Sequence, residues 1–173
     1  MLPSANWPAP ANAVVSPMIG KTAWNVAKGH GSFLTLEFGP PSLVAIKHPS
    51  RDSRSAHVRG AWGLWIYCCH WKITHAGAQL AWSEDDAATI DRAAAALNGQ
   101  QLTAIAVDPG YGRTKFDFDL ECALETWPYG DDPDGEQWSV STREAVLRIN
   151  AAGRYEIAAI DAPLSDDSWL PLV

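Results

Sequence analysis

Several things are scarce in this chain of 173 residues, and each scarcity removes a class of protein. No run approaches the roughly 18 consecutive apolar residues of a membrane span. The start, Met1-Leu2-Pro3-Ser4-Ala5-Asn6-Trp7-Pro8, has neither the basic head nor the apolar stretch of a signal peptide. A cytoplasmic protein is therefore expected. Only three cysteines occur, Cys68, Cys69 and Cys122. Adjacent residues of a strand point to opposite faces, so Cys68 and Cys69 make a poor disulfide, and reduced thiols are expected. Cationic charge is also in short supply: the formal net charge is −7. A nucleic-acid binder needs a basic footprint, so that class is set aside.

Catalytic and cofactor motifs are missing as well. Neither Gly-x-x-x-x-Gly-Lys-Ser/Thr nor Gly-x-Gly-x-x-Gly occurs, which removes the common phosphate-cradling loops. There is no Gly-x-Ser-x-Gly elbow for a serine nucleophile. His70 and His75 fall on opposite faces of a strand, and no second dyad completes a zinc site with Cys68 and His70. No metal, no cofactor and no catalytic residue is expected. The one suggestive turn, Gly29-His30-Gly31-Ser32, reads first as a tight hairpin turn.

What the chain does have is β periodicity, in a pattern that recurs. Leu34-Thr35-Leu36-Glu37-Phe38 matches Thr114-Lys115-Phe116-Asp117-Phe118 in its alternation. Farther on, at a slightly shorter displacement, Trp62 falls on Trp138, Ile73 on Ile149, Ala76-Gly77 on Ala152-Gly153 and Asp85 on Asp161. An ordered series of matching strands with length changes confined to turns is what a duplicated unit predicts. The expected fold is α+β and mainly antiparallel β. Two β-meander units, at about 20–85 and 99–161, are packed as a pseudo-twofold sandwich or one curved sheet. Residues 1–17, with Pro3, Pro8, Pro10 and Pro17, read as an extended N-terminal arm, and 18–173 as a single globular domain.

One helix is expected between the units, over 84–97. Ser83 supplies its cap, and Ile90, Ala93, Ala94 and Leu97 form one apolar stripe. The run Trp62–Lys72 is almost continuously apolar, as for a central strand pair covered on both faces, and the core is expected there. Trp62 and Trp138 are expected at equivalent buried positions. Nine tryptophans stand out in the composition, and both cores and interface centres use that residue.

Charge supplies the candidate site. Along Phe116–Glu121, Asp117, Asp119 and Glu121 are expected in a row on one strand face, repeating at about 6.5–7 Å. With Asp131, Asp132, Asp134 and Glu136 in the following loop they would make a broad anionic face for binding a basic protein. The corresponding loop of the first unit is basic: Lys47, Arg51, Arg54 and Arg59 outweigh Asp52. Loops of opposite sign, 47–59 and 130–136, suit pairing within one molecule, between two copies of a homodimer, or with a dipolar partner.

The two units share further detail: a glycine-started strand, an alternating strand such as Phe33-Leu34-Thr35-Leu36-Glu37-Phe38-Gly39, Trp62-x-Leu64 and Trp138-x-Val140, and Ile73 and Ile149 each four residues before a turn glycine. This pattern resembles small bacterial proteins of the immunity-protein type, which guard cells against their own secreted toxins. The resemblance implies a cytoplasmic, non-enzymatic inhibitor whose partner is a toxin or effector. Two alternatives stand beside it. One is a hydrolase-type enzyme with a pocket between the units, using His30 and a carboxylate such as Asp117 as acid and base. The other is a structural subunit that dimerises.

Overall fold

The computed structural model describes residues 7–163 and 168–172. Asp166 and Asp167 of the tail and residues 1–6 of the arm lie outside them. The described part of the arm is not extended. Ala9–Val15 forms helix α1, with Pro8 at its N-cap and Pro10 in its first turn, where a preset φ and a missing N–H cost little, and a 3₁₀ turn follows at Ser16–Met18. Ala11, Val15 and Met18 are buried, so packing recruits a segment that lacks helical periodicity.

Antiparallel strands make up most of the remainder. In chain order they are β1 (Ala23–Lys28), β2 (Leu34–Phe38), β3 (Ser42–Lys47), β4 (Arg54–Arg59), β5 (Trp62–Ile66), β6 (His70–His75) and β7 (Ala78–Trp82). Helix α2 (Ala87–Leu97) follows, then β8 (Leu102–Val107), β9 (Thr114–Phe118), β10 (Cys122–Trp127), β11 (Glu136–Ser141), β12 (Ala145–Asn150), β13 (Arg154–Ala159) and β14 (Leu170–Pro171). A seven-stranded sheet runs β1-β2-β5-β11-β12-β13-β14, and a five-stranded sheet runs β7-β6-β10-β9-β8. The hairpin β3–β4 stands apart as a two-stranded sheet.

Alternation explains which faces meet. Leu34, Leu36 and Phe38 of β2, Leu64 and Ile66 of β5, and Trp138 and Val140 of β11 are buried on one side of the large sheet. Trp71 and Ile73 of β6, Leu124 of β10 and Phe116 of β9 do the same on the small one. All belong to a single core cluster. Trp138 and Phe116 meet edge to face at 5.2 Å across the two sheets. Two indole N–H groups bond between the layers, Trp138 to Thr114 Oγ1 at 2.9 Å and Trp71 to the Ser32 carbonyl at 2.7 Å.

The expected central strand pair within Trp62–Lys72 is not a pair. Tyr67–Cys69 carries the chain from one sheet to the other, with Cys68 at φ 48°, so β5 pairs with β2 and β11 while β6 pairs with β7 and β10. Nor do Trp62 and Trp138 correspond. Trp62 is half-buried at the start of β5, whereas Trp138 is fully buried in β11, the strand hydrogen-bonded to β5 itself.

Helix α2 begins later than the sequence suggests. Asp86, not Ser83, is the cap, accepting the Thr89 N–H at 3.0 Å, and the first turn holds no acidic residue. Ser83 is instead buried at the end of β7, its N–H donating to the Trp71 carbonyl at 2.9 Å. The expected stripe is the buried one, Ile90, Ala93, Ala94 and Leu97, and it packs on β1 and β7.

Candidate functional site

The acidic residues fall into two groups rather than one face. Strand β9 stops at Phe118, so the alternation that would align Asp117, Asp119 and Glu121 ends before it reaches the second of them. Asp117 projects from β9 and pairs with Lys115 at 2.7 Å. Asp119 turns back to accept the Gln101 N–H at 2.8 Å, and Glu121 takes φ 62° in the turn into β10. Between the two acidic groups the outer face of the small sheet carries Lys72, Arg113 and Lys115. Glu125 sits among them, 3.4 Å from Lys72 and 2.7 Å from Arg113. Burial works against the Glu125 charge, but these cations and their hydrogen bonds outweigh it and hold the carboxyl below its ordinary range.

The second group lies at the opposite end of β10, about 20 Å away at the usual rise of a six-residue strand. Asp131, Asp132 and Asp134 are exposed there. Asp132 shapes the loop by accepting the Asp134 N–H at 3.0 Å. Glu136 is not part of this free charge. It accepts the Tyr67 hydroxyl and pairs with Arg148 at 3.4 Å, which also binds Glu156 at 3.1 Å. Burial first, and then the bond to Glu136, pushes the Tyr67 hydroxyl far above its ordinary pKa, so it stays a donor.

Beside the acidic loop lies a group of aromatic side chains that charge patterning did not reveal. In β10 and β6, Trp127 pairs with His70, and in β6 and β7, Lys72 pairs with Trp82. The two-residue alternation therefore places His70, Trp82 and Trp127 on the outer face of the small sheet. The His70 ring is 5.7 Å from Trp127 and 6.2 Å from Trp82, and it meets Tyr129 edge-on at 4.6 Å. Glu84 is 3.7 Å from His70 Nδ1. Tyr129 is 48% exposed and Trp82 36%, so this cluster faces solvent. Burial, followed by the charges of neighbours that include Glu84 and Asp131, raises the Tyr129 hydroxyl above its usual pKa. A surface of large rings bordered by carboxylates attracts cationic side chains both through ring faces and through charge.

The residues of the enzymatic alternative are not brought together. His30 is exposed, with its ring against Phe33, and Asp117 belongs to the other sheet. Among the described residues no three His, Cys, Asp or Glu side chains are placed to hold a metal. Cys68, Cys69 and Cys122 are free thiols, the latter two buried. Among the described residues no ion pair joins 47–59 to 130–136; the basic segment is largely the hairpin β3–β4, with Arg59 turned to Glu37 at 3.0 Å. Among the described residues no helix is long and apolar enough to cross a membrane. Set against protein families, curated proteins and solved structures, the chain matches none.

Proposed function

We propose that this chain is a non-catalytic protein-binding module that inhibits or neutralises a basic partner protein, in the manner of immunity proteins. The observation that carries the reading is the exposed aromatic cluster of His70, Trp82, Trp127 and Tyr129 bordered by Glu84 and the loop Asp131–Asp134. Such a surface divides the work of binding. Rings that become desolvated at the centre of an interface supply most of the affinity, and carboxylates around them steer the encounter. Asp117, Asp119 and Glu121 extend the negative field at the far end of β10.

The scaffold reads as a duplicated unit. The order β1-β2-β5-β11-β12 is repeated by β8-β9-β10-β6-β7, so each unit gives its first three sheet strands to one layer and its next two to the other. On this reading Trp71, not Trp62, is the counterpart of Trp138: both are fully buried, and both bond from indole N–H into the facing layer. The dimer reading has a separate support. Hairpin β3–β4 leaves Leu43 73% and Val58 53% exposed beside Lys47, Arg51 and Arg54, a surface opposite in sign to the loop Asp131–Asp134 of a second copy. Sedimentation at low and high salt tests it, and a monomer at every ionic strength excludes it.

The inhibitor reading is tested by co-expression with the product of the adjacent reading frame. Growth arrest by that product should be relieved by the wild-type chain and restored by Trp127→Ala with Tyr129→Ala. Reversing Asp131, Asp132 and Asp134 to Lys should slow association about tenfold or more at low salt and change little at high salt. Protection that survives both sets of substitutions places the interface elsewhere, and a neighbour that never arrests growth removes the inhibitor reading.

A further inference from the structure

On the outer face of the large sheet, hairpin β3–β4 roofs a cavity of about 440 Å³, within the range of small-molecule sites. Strand register lays its floor. Glu37 of β2 stands opposite Gly63 of β5, and Gly63 opposite Ser141 of β11, so a row of the sheet offers a carboxylate, no side chain and a hydroxyl. Gly63 leaves this part of the floor open because it carries no side chain; a Cβ there would meet only Glu37 Oε2, at 3.4 Å. Trp65, one row on, forms a flat wall; Val44 and Ile46 of the hairpin and Ile160 add aliphatic surface.

The charges of the cavity do not cancel. Glu37 is only 3% exposed, and both its oxygens are used: Oε1 accepts from Arg59 Nη1 at 3.0 Å and Oε2 from the Gly60 N–H at 2.9 Å. Gly60 approaches so closely because it has no side chain; a Cβ there would be 2.4 Å from the Phe38 carbonyl oxygen. With its acceptors taken, Glu37 fixes the Arg59 guanidinium on the cavity wall and neutralises it. Arg143, on the turn between β11 and β12, also lines the cavity and has no ion-pair partner among the described residues. The site is therefore apolar and flat on one side with one uncompensated guanidinium. A cation would meet net repulsion. An extended peptide would find no free backbone edge on the floor, because β2, β5 and β11 are each paired on both sides.

We propose that this cavity binds a small organic anion with a flat apolar body, an arene bearing a carboxylate or phosphate, whose ring lies against Trp65 and whose anionic group meets Arg143. The site is independent of the protein-binding surface on the other sheet. Titration calorimetry with naphthalene-2-carboxylate and with the neutral 2-naphthalenemethanol tests it. The carboxylate should bind at one site about tenfold or more tightly than the alcohol, the margin of a charge-assisted hydrogen bond. Arg143→Gln should erase that preference, and Trp65→Ala should weaken both probes. Both residues are at the surface, and an unchanged thermal midpoint verifies that each variant is folded. In the wild-type protein, amide shifts on adding the carboxylate should centre on Gly63 and Ser141, a readout that needs no variant. Equal affinity for the two probes, no saturation up to about 10 mM, a preference that survives Arg143→Gln, or shifts centred elsewhere would each overturn the proposal.

Discussion

At the scale of single residues, burial separates tryptophans that composition cannot. Trp138 touches Phe116 and Trp7 and satisfies its N–H on Thr114, so its removal leaves both a cavity and an unpaired hydroxyl. Trp138→Ala should cost about 3–5 kcal/mol in urea unfolding, as large aromatic truncations do. Trp65→Ala, at an exposed position, should cost under about 1 kcal/mol. Equal losses at the two sites would contradict the assignment of Trp138 to the core. Identity and spacing made Trp62 the natural counterpart of Trp138, but a tryptophan's place depends on which strand pairs with which, and that long-range choice leaves no local mark. Glu37 shows the same limit: it alternates like a surface residue and becomes buried only because the distant Arg59 and Gly60 meet it.

A second residue-scale prediction concerns Glu125. Its carboxyl is held below the ordinary range, despite burial, by Arg113 and Lys72. A depressed folded pKa contributes stability above the ordinary glutamate value of about 4.3. That contribution fades as pH falls through the depressed value. Glu125→Gln should therefore be less stable than wild type at pH 7, with the gap narrowing toward pH 3. A gap of constant size across that range would mean that shape, rather than charge, sets its contribution.

Among elements, most strands were legible because alternation survives wherever one sheet face is buried. The alternating segments read from sequence, Leu34–Phe38 and Thr114–Phe118, are strands β2 and β9. Strand β4 escaped notice because Arg54-Ser55-Ala56-His57-Val58-Arg59 is predominantly polar and carries the basic charge expected of a loop. Its pairing with β3 is local, and among the described residues neither strand joins a larger sheet. A two-stranded ribbon is marginal in water by itself. Amide hydrogen exchange at Val44, Ala45, Ala56 and His57 should proceed by local opening, with far less protection than at Leu64, Ile73 or Val140 in the large sheets. Ligand held under the hairpin should raise that protection, whereas full protection in its absence would show that the ribbon has another cover.

For the whole molecule, the decisive fact is which pairings cross from one half of the chain to the other. Strand β5 bonds to β11 and β6 bonds to β10, and these are the interior seams of the two sheets. Residues 1–98 alone would hold β1, β2 and β5 with nothing on the far side of β5, and β6 and β7 as a stray hairpin. Residues 99–173 would be left with β8–β10 and β11–β13 equally unjoined, and the buried faces of Trp71 and Trp138 would be open to water. Sequence matching suggested two β-meander units packed as a pseudo-twofold sandwich or one curved sheet, and it could not show strand exchange between layers, because repeats are read along the chain. Each half expressed alone should therefore show little protected structure by circular dichroism and amide dispersion. Mixing the two should restore the native spectrum, slowly, since the seams require contacts distant in sequence. A half that folds cooperatively by itself would show that its own meander, rather than the seam shared with the other half, carries its stability.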